Sequence, residues 1–266
     1  MNRLKYFALL LLLLLVLGVP AVIALIAAAD APPKAVLPNP NGHDTLWQAS
    51  QKLAPLPEDF DTTKDLEALK TCLAANSEAI LLLEQACGQE MMIPLDGIDF
   101  ASQQWIDGIS SIRSLLRLIF VQARVAELEQ RPADAAELYV RLFGLSDRAD
   151  DGGLLIHSLN GMAGKGMALT PLMRLADTLP EESRKEIASR LKELGNDRID
   201  IDAVMKRERA AIRKQYGFFR AGILNLTNAV ETEHVTQRDQ EVDNQFHELI
   251  RELSRDGETS EEGSLE

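Results

Sequence analysis

The feature that most constrains this chain is a run of 24 residues, Tyr6 to Ala29, that is apolar almost throughout and carries no charge. As a helix it reaches roughly 36 Å, enough for a tilted crossing of a bilayer core about 30 Å thick. A core helix of this kind would need protein on every side of a leucine-rich cylinder, so a membrane is the simpler solvent for it. Arg3 and Lys5 precede the run, and the positive-inside bias then places the N-terminus in the cytoplasm and the rest of the chain outside. A cleaved signal peptide is the competing reading. Phe7 to Leu17 makes an apolar h-region, Gly18 and Pro20 end it, and Ala27 and Ala29 fit a small-residue cleavage site. Such h-regions span about 7 to 15 residues, shorter than this run, which favours a retained anchor over residues 1–29. Cleavage would instead yield a secreted or periplasmic protein, on the same side of the membrane.

The first acidic residue is Asp30, and only two cations precede it. The remainder therefore carries 26 Lys and Arg against 41 Asp and Glu, a formal charge of −15. A surface of that sign repels phosphate backbones, so no nucleic-acid partner is expected. Leu, Ala and Glu dominate over Val, Thr and Tyr, the balance of an all-α protein. Cys72 and Cys87 are too few for a disulfide framework or a metal quartet. The spacing predicts a single helix from Thr62 to about Cys87, which would hold these thiols roughly 22 Å apart as small core-facing residues. A bridge across a helix break or between chains is the alternative.

Residues 30–43 contain four prolines and no periodicity, and read as an extended spacer. The helical domain then covers 44–254. It begins with a short helix capped by Asp44 and ended by Pro55 and Pro57, followed by the Thr62–Cys87 helix. MMIPLDGIDF is a loop, and its Asp96 and Asp99 read as caps rather than a catalytic pair. Ala101 to Gln130 and Ala133 to Leu145 carry apolar residues at helical spacing and are joined through Arg131 and Pro132, so they must pack antiparallel. A helix opened by Asp150 and Asp151 carries Leu155, Leu159, Met162, Gly166, Leu169, Met173 and Ala176, with Gly161, Gly164 and Gly166 allowing close approach of a neighbour. Glu181 to Leu194 and a long helix from Asp202 to Ser254 complete the domain. Residues 255–266 are an acidic tail with the composition of a disordered segment.

No catalytic, cofactor or metal signature emerges from the motifs. NGMAGKG lacks the glycine five positions before its Gly-Lys, which is Leu159, and has Gly166 in place of the Ser or Thr that follows in a phosphate loop. Glu231 and His234 form a lone E-x-x-H, whereas di-iron bundles need two such motifs and two further glutamates. His43, His157 and His247 have no matching acid. His157, beside the apolar stripe and close to Asp150 and Asp151, reads as a capping or partly buried residue, with general-base chemistry as its functional alternative. Lys206, Arg207, Arg209, Arg213, Lys214 and Arg220, interleaved with Tyr216, Phe218 and Phe219, form the one basic run of the acidic protein. It pairs with acids on neighbouring helices or, across 206–220, touches anionic lipid headgroups.

The hairpin ARVAELEQRPADAAELYVRLF resembles one tetratricopeptide unit, with small Ala123 and Ala126 at the close approach and Ala135 and Tyr139 packing back. Gln130 stands where a glycine is usual before the turn, and no second copy lies 34 residues away. More broadly, NGHD, LAANSEAILLLEQAC with IPLD, LLRLIFVQARVAELEQRPADAAELYVRLFGLSDR and LLIHSLNGMAGKGMAL, within residues 38–170, resemble a group of uncharacterised bacterial proteins with an N-terminal membrane segment and an all-helical body. The resemblance implies the anchor and the helical fold, and no activity. The function expected is a membrane-tethered helical interaction module outside the cytoplasm, binding protein or envelope partners through a groove between hairpins. An envelope hydrolase with a site near His157, or a homodimer formed through the Leu155–Ala176 stripe, are the alternatives.

Overall fold

The computed structural model describes residues 36–95, 99, 102–195 and 200–255, with the backbone alone for 216–232. The apolar run 6–29, the start of the spacer, Asp96 and the tail from 256 lie outside the described residues. Among those described, the chain is all-helical, with eight α-helices and no strand.

The first helix, α1 (Gly42–Gln51), is capped by Asn41, three residues earlier than the Asp44 cap that the sequence predicts. The Asn41 side chain accepts from the His43 amide at 3.2 Å. It also donates to Met92 O at 2.9 Å and accepts from Met92 N at 3.0 Å, pinning the end of the spacer to the loop beyond α3. The predicted Thr62–Cys87 helix is two helices, α2 (Leu66–Ala75) and α3 (Ser77–Cys87), divided at Asn76. The buried Asn76 amide donates to Cys72 O at 2.9 Å, while its oxygen accepts from Ala54 N at 2.8 Å. A side chain that competes with the helix ladder and holds a remote strand of chain ends α2 there. The 22 Å separation expected for a straight helix therefore does not apply to the cysteines, and both are free thiols.

Next come α4 (Gln103–Leu128) and α5 (Pro132–Arg148), which form the antiparallel hairpin. Leu115, Leu118, Ile119, Tyr139, Leu142 and Phe143 are fully buried between and around them, and each leucine of this kind stabilises the fold by about 1.5–3 kcal/mol. The turn is a Schellman motif: Arg131 N bonds to Ala126 O at 2.9 Å and Gln130 N to Glu127 O at 3.0 Å. Gln130 has φ of 60°, the one non-glycine residue with positive φ among those described. It holds a conformation that glycine adopts at least cost.

Helix α6 (Leu155–Ala176) packs along α5, with α7 (Glu181–Leu194) resting mainly on α5 and α8. The glycines of α6 divide by neighbour. A Cβ on Gly164 would lie 2.1 Å from Ser146 Oγ, and one on Gly161 would lie 2.7 Å from Asp150 Oδ2, whereas Gly166 has nothing within 4 Å. Two of the three glycines thus serve α5. Leu155, Met162, Leu169 and Ala176 of the predicted stripe are buried inside this chain, and Leu159 is exposed.

Helix α8 (Ile201–Leu253) cannot run straight. Val204, Met205 and Val235 share one apolar cluster with Leu155 and Met162, yet 31 residues of straight helix would separate Val204 from Val235 by about 46 Å. Its axis bends back between them. Its last part returns to the main core, where Phe246 stacks on Phe143 with ring centres 5.3 Å apart.

Candidate functional site

Charged and titratable side chains gather where α5 turns into α6. The turn itself, Ala149 to Leu154, is tight: Gly153 N bonds back to Asp150 O at 2.9 Å and Gly152 has φ of 71°. Leu154 has no side-chain acceptor with which to cap α6. His157, three residues on, does part of that work: its Nδ1 accepts the Leu154 N–H at 3.0 Å. The Leu155 N–H is taken by Glu208 of α8 at 3.1 Å, and Arg207 Nε donates to Gly153 O at 2.9 Å. A carboxylate is the side chain a helix N-terminus favours. The start of the basic run is thus knitted into the α6 cap. Further along it, Gln215 donates to Asp99 at 2.7 Å.

About two turns further along α6, Lys165 is buried to 3% exposure, ion-paired with Asp147 and set over the Phe143 ring at 5.7 Å. Asp150, half-buried, lies against the backbone of Gly161. Burial pushes its carboxyl up to about 7; Asp147 and Asp151 add to the rise, and the Lys165 ammonium opposes it. Burial, with His43 nearby, pulls the His157 imidazole down to about 4. An Nδ1 that accepts an amide N–H is unprotonated, so His157 is neutral with its proton on Nε2. The ring meets Trp105 of α4 edge-on, with centres 6.0 Å apart. The cleft beside it is lined by Ile109, Ile112, Leu116, Ala149, Asn160 and Gly161, and holds about 10 Å³, room for about one water molecule. Apart from His157 and Asn160 this lining offers a substrate no polar side chain.

At the far end of the same three helices the charges are reversed. Glu127 of α4 accepts from Tyr139 of α5 at 2.6 Å, from Arg174 of α6 at 2.8 and 2.9 Å and from Arg124 at 2.7 Å. Burial, then the Glu127 acceptor, pushes the Tyr139 hydroxyl far above its usual range. This clamp went unread in the sequence, as did the Lys165 pair. A lysine among glycines and alanines on a helix face predicted to pack closely was the available sign of a buried partner.

The other candidates are dispersed. His234 is exposed on α8, and the side chain of Glu231 lies outside the described set. His247 sits 3.4 Å from Asp243. Among the described residues no group of three or more His, Cys, Asp or Glu could hold a metal ion. Burial raises the thiols of both Cys87 and Cys72. Tyr216, Phe218, Phe219 and Arg220 of the basic run fall where only the backbone is described. No helix among the described residues is long and apolar enough to cross a membrane. Searches against protein-family models, curated proteins and solved structures find no match.

Proposed function

We propose that the chain is a membrane-tethered helical interaction module. Residues 6–29 anchor it, the N-terminus is cytoplasmic, and residues 44–254 act outside the cytoplasm on a protein or envelope partner. The observation that carries this reading over the envelope hydrolase is the state of His157. Its Nδ1 is taken by the Leu154 amide, its imidazole is neutral, and its cleft is lined mainly by isoleucine and leucine. Its chemistry is committed to holding α6, so the polar parts of the domain serve helix placement. The α4–α5 hairpin is read as a tetratricopeptide-like unit: Ala123, Ala126, Ala135 and Tyr139 are buried at the close approach, and Gln130 takes the backbone conformation of the usual glycine. The unit stands singly, since α7 rests mainly on α5 and α8 rather than on α6. Membership of the anchored bacterial group belongs to the same proposal, with the apolar run and the helical body as its support.

Alkaline extraction of membranes tests the tether: the full chain stays in the pellet, and protease added from outside removes the helical domain. A photo-crosslinker at Leu81, exposed on α3, tests the module, with a discrete protein adduct expected. Turnover of an ester, amide or phosphoester that disappears in His157→Asn would establish the hydrolase instead. Asparagine keeps an acceptor for the Leu154 amide and removes the imidazole, so the cap survives the test.

A further inference from the structure

Seven large apolar side chains are exposed among the described residues: Val36, Leu37, Leu81, Ile106, Ile156, Leu159 and Leu194. Five of them converge on one pole of the bundle. Val36, 85% exposed, and Leu37, 45% exposed, lie at the end of the spacer. Asn41, just beyond, is bonded to Met92, and the next residue, Ile93, donates its amide to Asp151 O at 2.9 Å. Asp151 leads directly into α6, which carries Ile156 and Leu159. Ile106 follows Trp105, whose ring rests on His157 one residue after Ile156. The chain therefore enters the domain at the pole where its apolar side chains are left uncovered.

We infer that this pole, through Ile106, Ile156 and Leu159 with Val36 and Leu37, rests in the interface of the bilayer that holds the chain. The inference depends on the tether proposed above and adds the orientation of the domain. One observation selects a membrane over a second copy or another protein. From Ala29 to Val36 there are seven residues, which span at most about 25 Å, so an anchored run holds this pole, and no other, next to the membrane. The exposed charges there include the carboxylates Asp44, Asp107, Asp151 and Asp202 as well as Lys206. Carboxylates among them suit apolar contact with the interface more than attraction to anionic headgroups. The basic run is accordingly a secondary contact, with Arg207 already bound to Gly153.

The test uses the full chain with Cys72→Ala and Cys87→Ala, reconstituted into vesicles of phosphatidylcholine and phosphatidylserine that contain brominated lipid. A fluorophore is attached at Leu159→Cys, at Ile106→Cys or, on the exposed first turn of α7 at the other end of the bundle, at Glu182→Cys. Quenching at 159 and 106 should exceed that at 182 by about twofold or more and persist in about 0.5 M salt, where headgroup attraction is screened. Equal quenching at the three sites in protein that floats with the vesicles overturns the orientation and leaves the tether standing. Quenching that salt abolishes overturns apolar seating in favour of headgroup attraction. Failure to float overturns both tether and orientation. Should the cysteine-free chain not fold, the wild-type chain gives the same reading through its two tryptophans, Trp105 and Trp47, the latter packed on Gly108 one turn along α4: their emission is quenched by brominated lipid if the pole is seated and is unaffected if it is not.

Discussion

The two ends of the α4–α5–α6 trio solve the same problem with opposite charge. At the turn into α6, one ammonium, Lys165, is buried beside Asp147 with Asp150 close by. At the other end, one carboxylate, Glu127, is held by two guanidiniums and a phenol. Glu127 has cations to spare and one of them, Arg174, is largely in water. The Lys165 end has more carboxylate than ammonium, and Asp150, chiefly because it is buried and secondarily because Asp147 and Asp151 lie near it, holds its proton to about pH 7. A buried charge is tolerated where its partner is in excess; where the partner is short, titration makes up the difference.

Four measurements break or sharpen that contrast. The largest effect is expected from Lys165→Ala, which strands Asp147 and Asp150 and should cost about 3–5 kcal/mol in urea unfolding. Glu127→Ala should cost less, about 2–3 kcal/mol, because Arg174 can turn to solvent; the losses are the Tyr139 hydroxyl's acceptor and the partner of the mostly buried Arg124. If the two costs came out equal, the proposed difference between the ends would be gone. Gly164→Ala comes next, destabilising by about 1–3 kcal/mol through the overlap with Ser146, while Gly166→Ala should be neutral or stabilising by up to about 1 kcal/mol.

The pH dependence has two opposing parts. The unfolded Asp150 carboxyl loses its proton near 3.8 and the folded one near 7, so this group lowers stability progressively as pH rises between those values. His157 titrates near 6.5 when unfolded and near 4 when folded, so it raises stability over that window. Between about 4 and 6.5 they offset one another. Asp150→Asn should therefore make stability rise by about 1–2 kcal/mol from pH 4 to 6.5, after allowance for the partial exposure of the site. His157→Asn should make it fall instead. Flat profiles in both variants would remove the titrating surplus from the account. A comparably small effect belongs to the opposite end: Gln130→Gly relieves the positive φ next to Glu127 and should gain about 0.5–1 kcal/mol, read as a rise in Tm.

How far the sequence reached depended on the distance over which each feature is encoded. The α4–α5 hairpin was legible to within a few residues, because Ile112, Leu115, Ile119, Tyr139 and Leu142 repeat at helical spacing and Pro132 starts the second helix. His157 was legible as a cap candidate from its place beside the Asp150–Gly153 turn. Its partner, the Leu154 amide, is local; the Trp105 ring that covers it comes from another helix. The break at Asn76 was invisible because the group that holds its oxygen, the Ala54 amide, is 22 residues away. The glycine cluster announced a close approach without naming what approaches.

The sequence by itself determined that this chain is helical, acidic and preceded by a long uncharged apolar run, since composition and a 3.6-residue period act through neighbours one turn apart. Only the tertiary structure decided which glycines meet α5, where Lys165 finds its carboxylates and how α8 bends back to the core. Those outcomes depend on groups brought together from distant positions, and a buried charge or a missing Cβ takes its meaning from what stands opposite it.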